Sequence, residues 1–209
     1  MSVPASLVCV VDDDASMRKS LVRLFRSAGF VAESFESARV YLTRDVYEGP
    51  SCLVLDVQMP ELTGLDLQRL LVENGREEQV IFITGNGDIP MCAQAMKAGA
   101  ADFLPKPFDD SELLEAVGRA LVRSGTERLG KAEQAAARTR IATLTPRELQ
   151  VFKGVIGGKM NKEIAAELGM ALKTVKVHRG RVMEKMGVVS VAELVRLAHK
   201  AGGTLPTDL

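Results

Sequence analysis

The chain has 209 residues, of which 46% are hydrophobic, 26% are charged and only 4% are aromatic. This composition excludes a disordered, a collagen-like or a membrane-embedded protein, and the length favours two domains of modest size. The net charge is zero, but residues 1–123 hold 12 Lys and Arg against 19 Asp and Glu, whereas residues 124–209 hold 15 against 8. Such asymmetry indicates an acidic module joined to a basic module that binds a polyanion.

Signals for export and for disulfide bonding are both missing from the sequence. No apolar run is long enough to span a bilayer, and the first apolar stretch runs directly into three aspartates, unlike a secretory signal. The three cysteines (Cys9, Cys52 and Cys92) are widely separated and form no C-x-x-C pair. These features are typical of buried thiols in a reducing compartment. The sequence therefore predicts a cytoplasmic protein that does not associate with a membrane.

The first half of the chain alternates short apolar runs with helical patterns. The runs have the compact form of parallel strands that are covered on both faces, and they occupy residues 7–11, 30–35, 52–55, 80–83 and 101–104. Apolar residues at helical spacing, with breaks at glycine, predict helices from Met17 to Ala28 and over residues 65–71, 89–98 and 109–122. The alternation predicts a doubly wound α/β domain with a five-stranded parallel sheet over residues 1–123.

The second half of the chain has only helical patterns. Residues 124–140 carry one large apolar residue, Leu129, and form a linker that is compatible with either a helix or a loose tether. Beyond it, residues 141–209 predict an all-α domain of four helices. The first helix opens with a capping box at Thr145, and the second is capped by Asn161. The third covers residues 172–186, and the fourth opens with a capping box at Ser190.

Polar residues follow the predicted strands at their carboxyl ends, where function sits in open α/β sheets. Asp12 and Asp13 end the first strand, Asp56 the third, Thr84 the fourth and Lys106 the fifth. Three carboxylates at one edge repel one another unless a cation lies among them, and Mg²⁺ or Mn²⁺ suits oxygen ligands. One carboxylate could then attack phosphorus and form an acyl phosphate, with Lys106 and Thr84 stabilising the phosphoryl oxygens. A lone aspartate at a strand end is usually a helix cap, but this set indicates phosphoryl chemistry.

Two helices of the second domain have the spacing of a helix-turn-helix. Residues 161–168 and 172–186 are joined by a tight turn that contains Gly169. The second helix has an apolar stripe and, around it, five basic residues, Lys173, Lys176, Arg179, Arg181 and Lys185. Such a helix can enter the major groove of DNA, with base contacts near its N-terminal half. A solvated amphipathic helix with ordinary positive charge is the alternative.

Four motifs of the first domain stand in order, namely Val-Val-Asp12-Asp13, Leu-Asp56-Val-Gln-Met-Pro60, Thr84-Gly85 and Lys106-Pro107-Phe108. Over residues 5–123 they resemble the receiver domain of two-component response regulators, which has a flavodoxin-like fold. The resemblance implies Asp56 as the phosphoacceptor, with Thr84 and Lys106 binding the phosphoryl group. It implies a switch made of Thr84 and Phe103, and a cis peptide between Lys106 and Pro107. It also implies Mg²⁺ or Mn²⁺ held by Asp12, Asp13, Asp56 and the backbone carbonyl of Gln58.

Motifs of the second half, namely Leu144-Thr-Pro-Arg-Glu148, Asn161-Lys-Glu-Ile-Ala165, Lys173-Thr-Val-Lys-Val-His178 and Met183-x-x-Met186-Gly187, resemble the LuxR-type helix-turn-helix domain over residues 141–203. A receiver joined to this domain is similar to the NarL/FixJ class of regulators. The resemblance implies base contacts by Lys176 and Val177, and further DNA contacts by Thr174, Arg179 and Arg181. Two departures from the family pattern are Ala171-Leu172, where a Ser-Pro start is usual, and Gly180, where some members carry a basic contact.

The resemblance implies a transcriptional regulator rather than an enzyme, one that catalyses only its own phosphorylation and dephosphorylation. Its partners would be a histidine kinase that loads Asp56, promoter DNA, RNA polymerase and a second copy of the chain on phosphorylation. An external donor is also expected from the residues, because both histidines, His178 and His199, lie in the second domain. Two alternatives are a metal-dependent phosphatase or phosphotransferase that acts on small substrates, and a phosphorelay module with a vestigial output domain.

Overall fold

The computed structural model of the chain describes residues 5–85 and 89–202. Two compact units share the chain, with the boundary between Arg128 and Leu129. The outermost residues of the two predicted domains, 1–4 and 203–209, lie outside the described residues. Within the described part of the chain, no helix is both long and apolar enough to cross a membrane.

The first unit is a five-stranded parallel sheet with helices on both faces. Its strands are β1 (Leu7–Val11), β2 (Val31–Phe35), β3 (Ser51–Asp56), β4 (Gln79–Thr84) and β5 (Asp102–Pro105). Its helices are α1 (Ala15–Ser27), α2 (Ala38–Leu42), α3 (Gly64–Glu73), α4 (Ile89–Lys97) and α5 (Asp110–Ala142). The strand order is β2-β1-β3-β4-β5, and all pairs are parallel. The predicted doubly wound sheet is confirmed.

The three central strands are buried along their whole length. Their side chains alternate between the two faces of the sheet, and helices cover both faces. On one face Cys9, Leu53 and Phe82 pack with residues of α2 and α3. On the other face Val10 and Val54, with other strand residues, pack with residues of α1 and α5. Two covered faces explain why the sequence of these strands is continuously apolar rather than alternating.

Helix α2 is absent from the sequence prediction. It has only five residues, of which Ala38 and Tyr41 are buried, so it carries too little of a helical repeat to be recognised. Ser37 caps it by accepting a hydrogen bond from Val40 N. The apolar runs also located β3 and β4 one residue short at each end, since the polar residues Ser51 and Asp56 bound one strand and Gln79 and Thr84 the other.

Helix α5 does not end near residue 122. It continues to Ala142 through the whole of the stretch predicted as a linker, which is helical in the structure. Residues 124–128 belong to the first unit and form hydrogen bonds with its other residues. Ser51 N donates to Ser124 Oγ at 3.1 Å, Gln79 Nε2 donates to Glu127 Oε2 at 2.9 Å, and Arg128 Nε donates to the carbonyl of Glu48 at 3.0 Å. The sequence left this segment open between a helix and a loose tether, because hydrogen bonds leave no apolar pattern.

The second unit combines the last part of α5 with four helices, α6 (Pro146–Ile156), α7 (Asn161–Leu168), α8 (Leu172–Met186) and α9 (Val191–Lys200). Phe152, Ile164, Val175, Val182 and Leu194 lie in its core. The predicted capping box at Thr145 is confirmed, since Thr145 Oγ1 accepts from Glu148 N and Glu148 Oε2 accepts from Thr145 N. Ser190 is the N-cap of α9 as predicted, but the predicted box is not formed, because Glu193 Oε2 accepts from Val189 N. Positive φ angles at Gly169 and Gly187 end α7 and α8.

The predicted cap of α7 by Asn161 is wrong. Asn161 is the first residue of the helix, and Met160 is its N-cap. Met160 N donates to Glu163 Oε2 at 2.6 Å, so the side chain of Glu163 closes the first turn. The carboxamide of Asn161 is therefore available for a contact outside α7.

Candidate functional site

The residues predicted to act together meet at the carboxyl edge of the sheet. Asp56 and Thr84 are the last residues of the adjacent strands β3 and β4. Asp12 directly follows β1, which pairs with β3, and Lys106 directly follows β5, which pairs with β4. The parallel register places the four positions side by side, as the sequence predicts.

Lys106 lies between the two buried carboxylates of this edge. Its Nζ donates to Asp56 Oδ1 at 2.8 Å and to Asp12 Oδ2 at 3.1 Å. The other oxygens of the carboxylates accept backbone hydrogen bonds, Asp56 Oδ2 from Gln58 N at 2.9 Å and Asp12 Oδ1 from Asp14 N at 2.7 Å. Both carboxylates are thus held in fixed orientations.

Burial and charge act in opposite directions on these groups. Burial raises the pKa of Asp56, and the hydrogen bond from Lys106 offsets only part of that rise. For Lys106, burial by itself would lower the pKa, but its bonds to Asp56 and Asp12 outweigh burial and raise the pKa. Lys106 therefore stays protonated at neutral pH. Asp56 is a partly desolvated carboxylate, more basic than one in water, which suits a nucleophile.

The donor set of this edge fits a hard divalent cation in charge and in chemistry. Three carboxylates, those of Asp12, Asp13 and Asp56, outnumber the two cations beside them, Lys106 and Arg18. The excess of negative charge is left for a bound cation to neutralise. Asp13 is exposed to solvent. Across residues 5–85 and 89–202, no three acidic, histidine or cysteine side chains stand in position to hold a metal as they are. A bound cation would therefore have Lys106 as its neighbour and competitor.

Thr84 and Phe103 occupy the positions that the sequence predicts for a switch pair. Thr84 is fully buried at the end of β4, and its carbonyl accepts a hydrogen bond from Lys106 N at 2.6 Å. The peptide between Lys106 and Pro107 is cis, as expected. Phe103 is half-buried on β5, and its ring centroid lies 6.3 Å from that of Phe82 on the neighbouring strand.

Two residues that support the site were not found from the sequence. Gly64 opens α3 against the backbone of Asp56, and a Cβ there would stand 2.4 Å from the carbonyl oxygen of Asp56. Arg18 Nη1 donates to the carbonyl of Asp12 at 2.6 Å and fixes the turn that follows β1. The Thr63-Gly64 pair at a helix start was the available signal for the first. A single sequence gives no signal for the second.

Helix α8 of the second unit presents one exposed polar face. Thr174, Lys176, Val177 and Arg181 are exposed on it, opposite the buried Val175, and Val177 is 48% exposed. Such a face, with cations around an apolar side chain, matches the needs of a major-groove contact. The N-cap of α8, Ala171, makes no side-chain capping bond, as the departure from Ser-Pro predicts.

Two basic residues of α8 are engaged within the protein. Arg179 is half-buried, and its Nη1 donates to Asn161 Oδ1 at 2.6 Å. Lys185 Nζ donates to Glu148 Oε2 at 2.6 Å and to the carbonyl of Thr143 at 3.1 Å. The structure therefore groups four of the five predicted DNA-contacting residues on one exposed face and turns Arg179 towards α7.

Comparisons with known proteins agree with both units. The sequence model of the response regulator receiver domain matches residues 8–118, and that of bacterial regulatory proteins of the luxR family matches residues 142–198. Nodulation protein W of Bradyrhizobium diazoefficiens is 49% identical over 94% of this chain and 87% of its own length. Transcriptional regulatory protein FixJ of Azorhizobium caulinodans is 44% identical over 99% of this chain and 98% of its own. The solved structure of response regulator StyR has a TM-score of 0.86 at 45% identity and covers 94% of this chain and 100% of its own.

Proposed function

Because the chain belongs to the NarL/FixJ class of response regulators, with a receiver domain followed by a LuxR-family domain, we propose that phosphorylation of Asp56 controls its binding to promoter DNA. The chain is a transcriptional regulator, and its relatives are regulators rather than enzymes. We assign the receiver to residues 1–123, the connecting helical segment to residues 124–140 and DNA binding to residues 141–209. One observation carries the proposal, the ammonium of Lys106 held between Asp56 and Asp12.

In the proposed step, a carboxylate oxygen of Asp56 attacks the phosphorus of a phosphohistidine on a partner kinase. A P–O bond forms as the P–N bond breaks, and the leaving imidazole nitrogen takes up a proton. Water later attacks the acyl phosphate and releases inorganic phosphate. The receiver thus catalyses only its own loading and unloading, and the desolvated setting of Asp56 favours its role as nucleophile.

The other residues of the edge position and stabilise the phosphoryl group. Lys106 offsets charge on its oxygens, and the hydroxyl of Thr84 donates to one of them. Asp12, Asp13 and Asp56, with the backbone carbonyl of Gln58, would hold Mg²⁺ or Mn²⁺. When bound, that ion supplies further neutralisation of the phosphoryl oxygens.

Output of the signal would pass through a change at Thr84 and Phe103. Movement of Thr84 towards the phosphoryl group frees space beside β5 and repositions Phe103, which changes the surface around α4 and β5. A second copy of the chain pairs on the changed surface. Two copies of α8 then bind two half-sites of promoter DNA, where RNA polymerase is the further partner.

DNA contacts are assigned to the exposed face of α8. Lys176 and Val177 would reach base edges, the first by hydrogen bonds and the second by apolar contact with a thymine methyl. Thr174 and Arg181 would contact the DNA beside them, including its phosphates. The excess of positive charge in residues 124–209 supports binding to a polyanion.

Intact mass spectrometry of the full chain with acetyl phosphate, with and without Mg²⁺, tests the proposal. We expect one phosphate adduct that requires Mg²⁺, vanishes in Asp56→Asn and remains in the control Asp45→Asn, whose aspartate is exposed and outside the site. Size-exclusion chromatography of the same samples should show that the adduct favours a dimer. An adduct that persists in Asp56→Asn, or a phosphorylated chain that stays monomeric and binds promoter DNA no better, would refute the switch. Sustained turnover of small phosphate esters would indicate the enzyme alternative instead.

A further inference from the structure

Arg179 differs from the other residues of α8 that were predicted to touch DNA. It is half-buried, whereas Lys176, Val177 and Arg181 are exposed. It follows the buried Val175 by four residues, so it lies beside the apolar stripe that faces the core rather than on the outward face. One nitrogen of its guanidinium, Nη1, donates a hydrogen bond of 2.6 Å to Asn161 Oδ1.

The partner of Arg179 has no capping role of its own. Met160 is the N-cap of α7, and Glu163 satisfies the backbone of Met160. The carboxamide oxygen of Asn161 can therefore accept from Arg179 without weakening the start of α7. The bond joins the first residue of α7 to the middle of α8, across the turn of the helix-turn-helix.

A directional contact at this place matters because the hydrogen bonds from Lys185 to Glu148 and to the carbonyl of Thr143 hold only the C-terminal end of α8. Its first residue follows Ala171, which makes no side-chain capping bond. Apolar packing of Ile164 and Ala165 against Val175 holds the two helices together, but such packing is not directional. A charge-assisted hydrogen bond is short and oriented, so it restricts how α8 lies against α7.

We propose that Arg179 is a positioning residue, which sets the angle of α8 through Asn161 and neutralises no phosphate. The inference rests on the proposed DNA binding, and it divides the basic residues of α8 into two kinds. Arg181 is exposed and acts on DNA directly. Arg179 acts on DNA through α7.

The two kinds of residue differ in how they change the salt dependence of binding. Each phosphate that a cation neutralises adds about 0.9 to the slope of log affinity against log salt. Because the proposed complex holds two copies of α8, Arg181→Ala should lower that slope by about 1.8, whereas Arg179→Ala should leave it unchanged. Asn161→Ala removes no charge and should also leave the slope unchanged. Both Arg179→Ala and Asn161→Ala should weaken binding, because DNA must then reorient a looser α8. That cost is at most about the energy of one hydrogen bond to a charged group, or about tenfold per copy.

The test uses the full chain, treated with acetyl phosphate and Mg²⁺, and a duplex that wild type selects from a randomised DNA pool. Affinity is measured by fluorescence anisotropy from roughly 50 to 200 mM salt. The temperature is one at which circular dichroism shows every variant fully folded, so that a residue that only stabilises the fold would not change the affinity. The double variant of Arg179 and Asn161 should bind no more weakly than either single variant, because both changes remove the same bond.

Three results would overturn the inference while leaving DNA binding intact. The first is a slope lowered by about 1.8 in Arg179→Ala. The second is a set of losses that add in the double variant, and the third is an unchanged affinity in either single variant. A wild-type chain that selects no duplex from the pool would overturn the proposed function, and the inference would fall with it. The failure of the inference is thus distinguishable from the failure of the proposed function.

Discussion

Replacing Lys106 with methionine removes the ammonium between Asp56 and Asp12 and keeps a flexible apolar side chain of similar length. Its Nζ contacts Asp56 at 2.8 Å and Asp12 at 3.1 Å, and both carboxylates are buried. Without the ammonium, two negative charges remain at a desolvated edge of the sheet. We expect the variant to be less stable than wild type and the loss to depend on pH and on Mg²⁺.

The size of the loss follows from the burial of the three groups. Removing one partner of a buried ion pair costs about 3–5 kcal/mol, because a buried charge is left uncompensated. Lys106 is 22% exposed, so water screens part of the interaction and we expect the lower end, about 3 kcal/mol near neutral pH without divalent cations. Burial already raises the pKa of Asp56, and loss of Lys106 raises it further. A carboxylate with a raised folded-state pKa destabilises the fold above that pKa, so the loss shrinks as pH falls.

Urea unfolding of the full chain in EDTA, followed by circular dichroism, measures the loss. Lys19→Met on α1 is the matched control, since Lys19 is exposed and its replacement should change stability by less than about 0.5 kcal/mol. Added Mg²⁺ should recover part of the stability of Lys106→Met, because the cation replaces the missing charge. Equal stability of Lys106→Met and wild type in EDTA at neutral pH, or a loss that grows on acidification, would refute the reasoning.

Three further changes test other parts of the structure. Ser124→Ala leaves the buried N–H of Ser51 without its acceptor and should cost about 1–3 kcal/mol in urea unfolding; no cost would mean that α5 is not fastened there. Gly180→Ala should stabilise α8 by about 1 kcal/mol, seen as a higher melting temperature, because an added Cβ meets nothing within 4 Å; a lower value would contradict this. Lys185 holds the pKa of Glu148 at about 2, so the stability from Glu148 is complete above about pH 4.5 and is lost towards pH 2. Glu148→Gln should therefore flatten acid unfolding of the second unit in that range, and an unchanged acid transition would exclude the ion pair as its cause.

The sequence by itself determined the alternation of strands and helices and the polar residues at each strand end. These features are local, since a parallel strand covered on both faces must be apolar along its length and its first polar residue marks the edge. Asp12, Asp56, Thr84 and Lys106 could therefore be placed together without a structure. Their roles in phosphoryl transfer remain predictions.

Only the tertiary structure decided which partner each polar side chain takes. The sequence places Ser124 in a predicted linker, yet in the structure its Oγ accepts a hydrogen bond from Ser51 N, 73 residues away. The sequence predicts Arg179 as one of several basic residues that contact DNA, yet in the structure it donates a hydrogen bond to Asn161, 18 residues earlier. Hydropathy repeats record which face of an element is buried, but a hydrogen bond depends on where distant segments meet. That geometry is set by the packing of whole helices and strands, so no local pattern contains it.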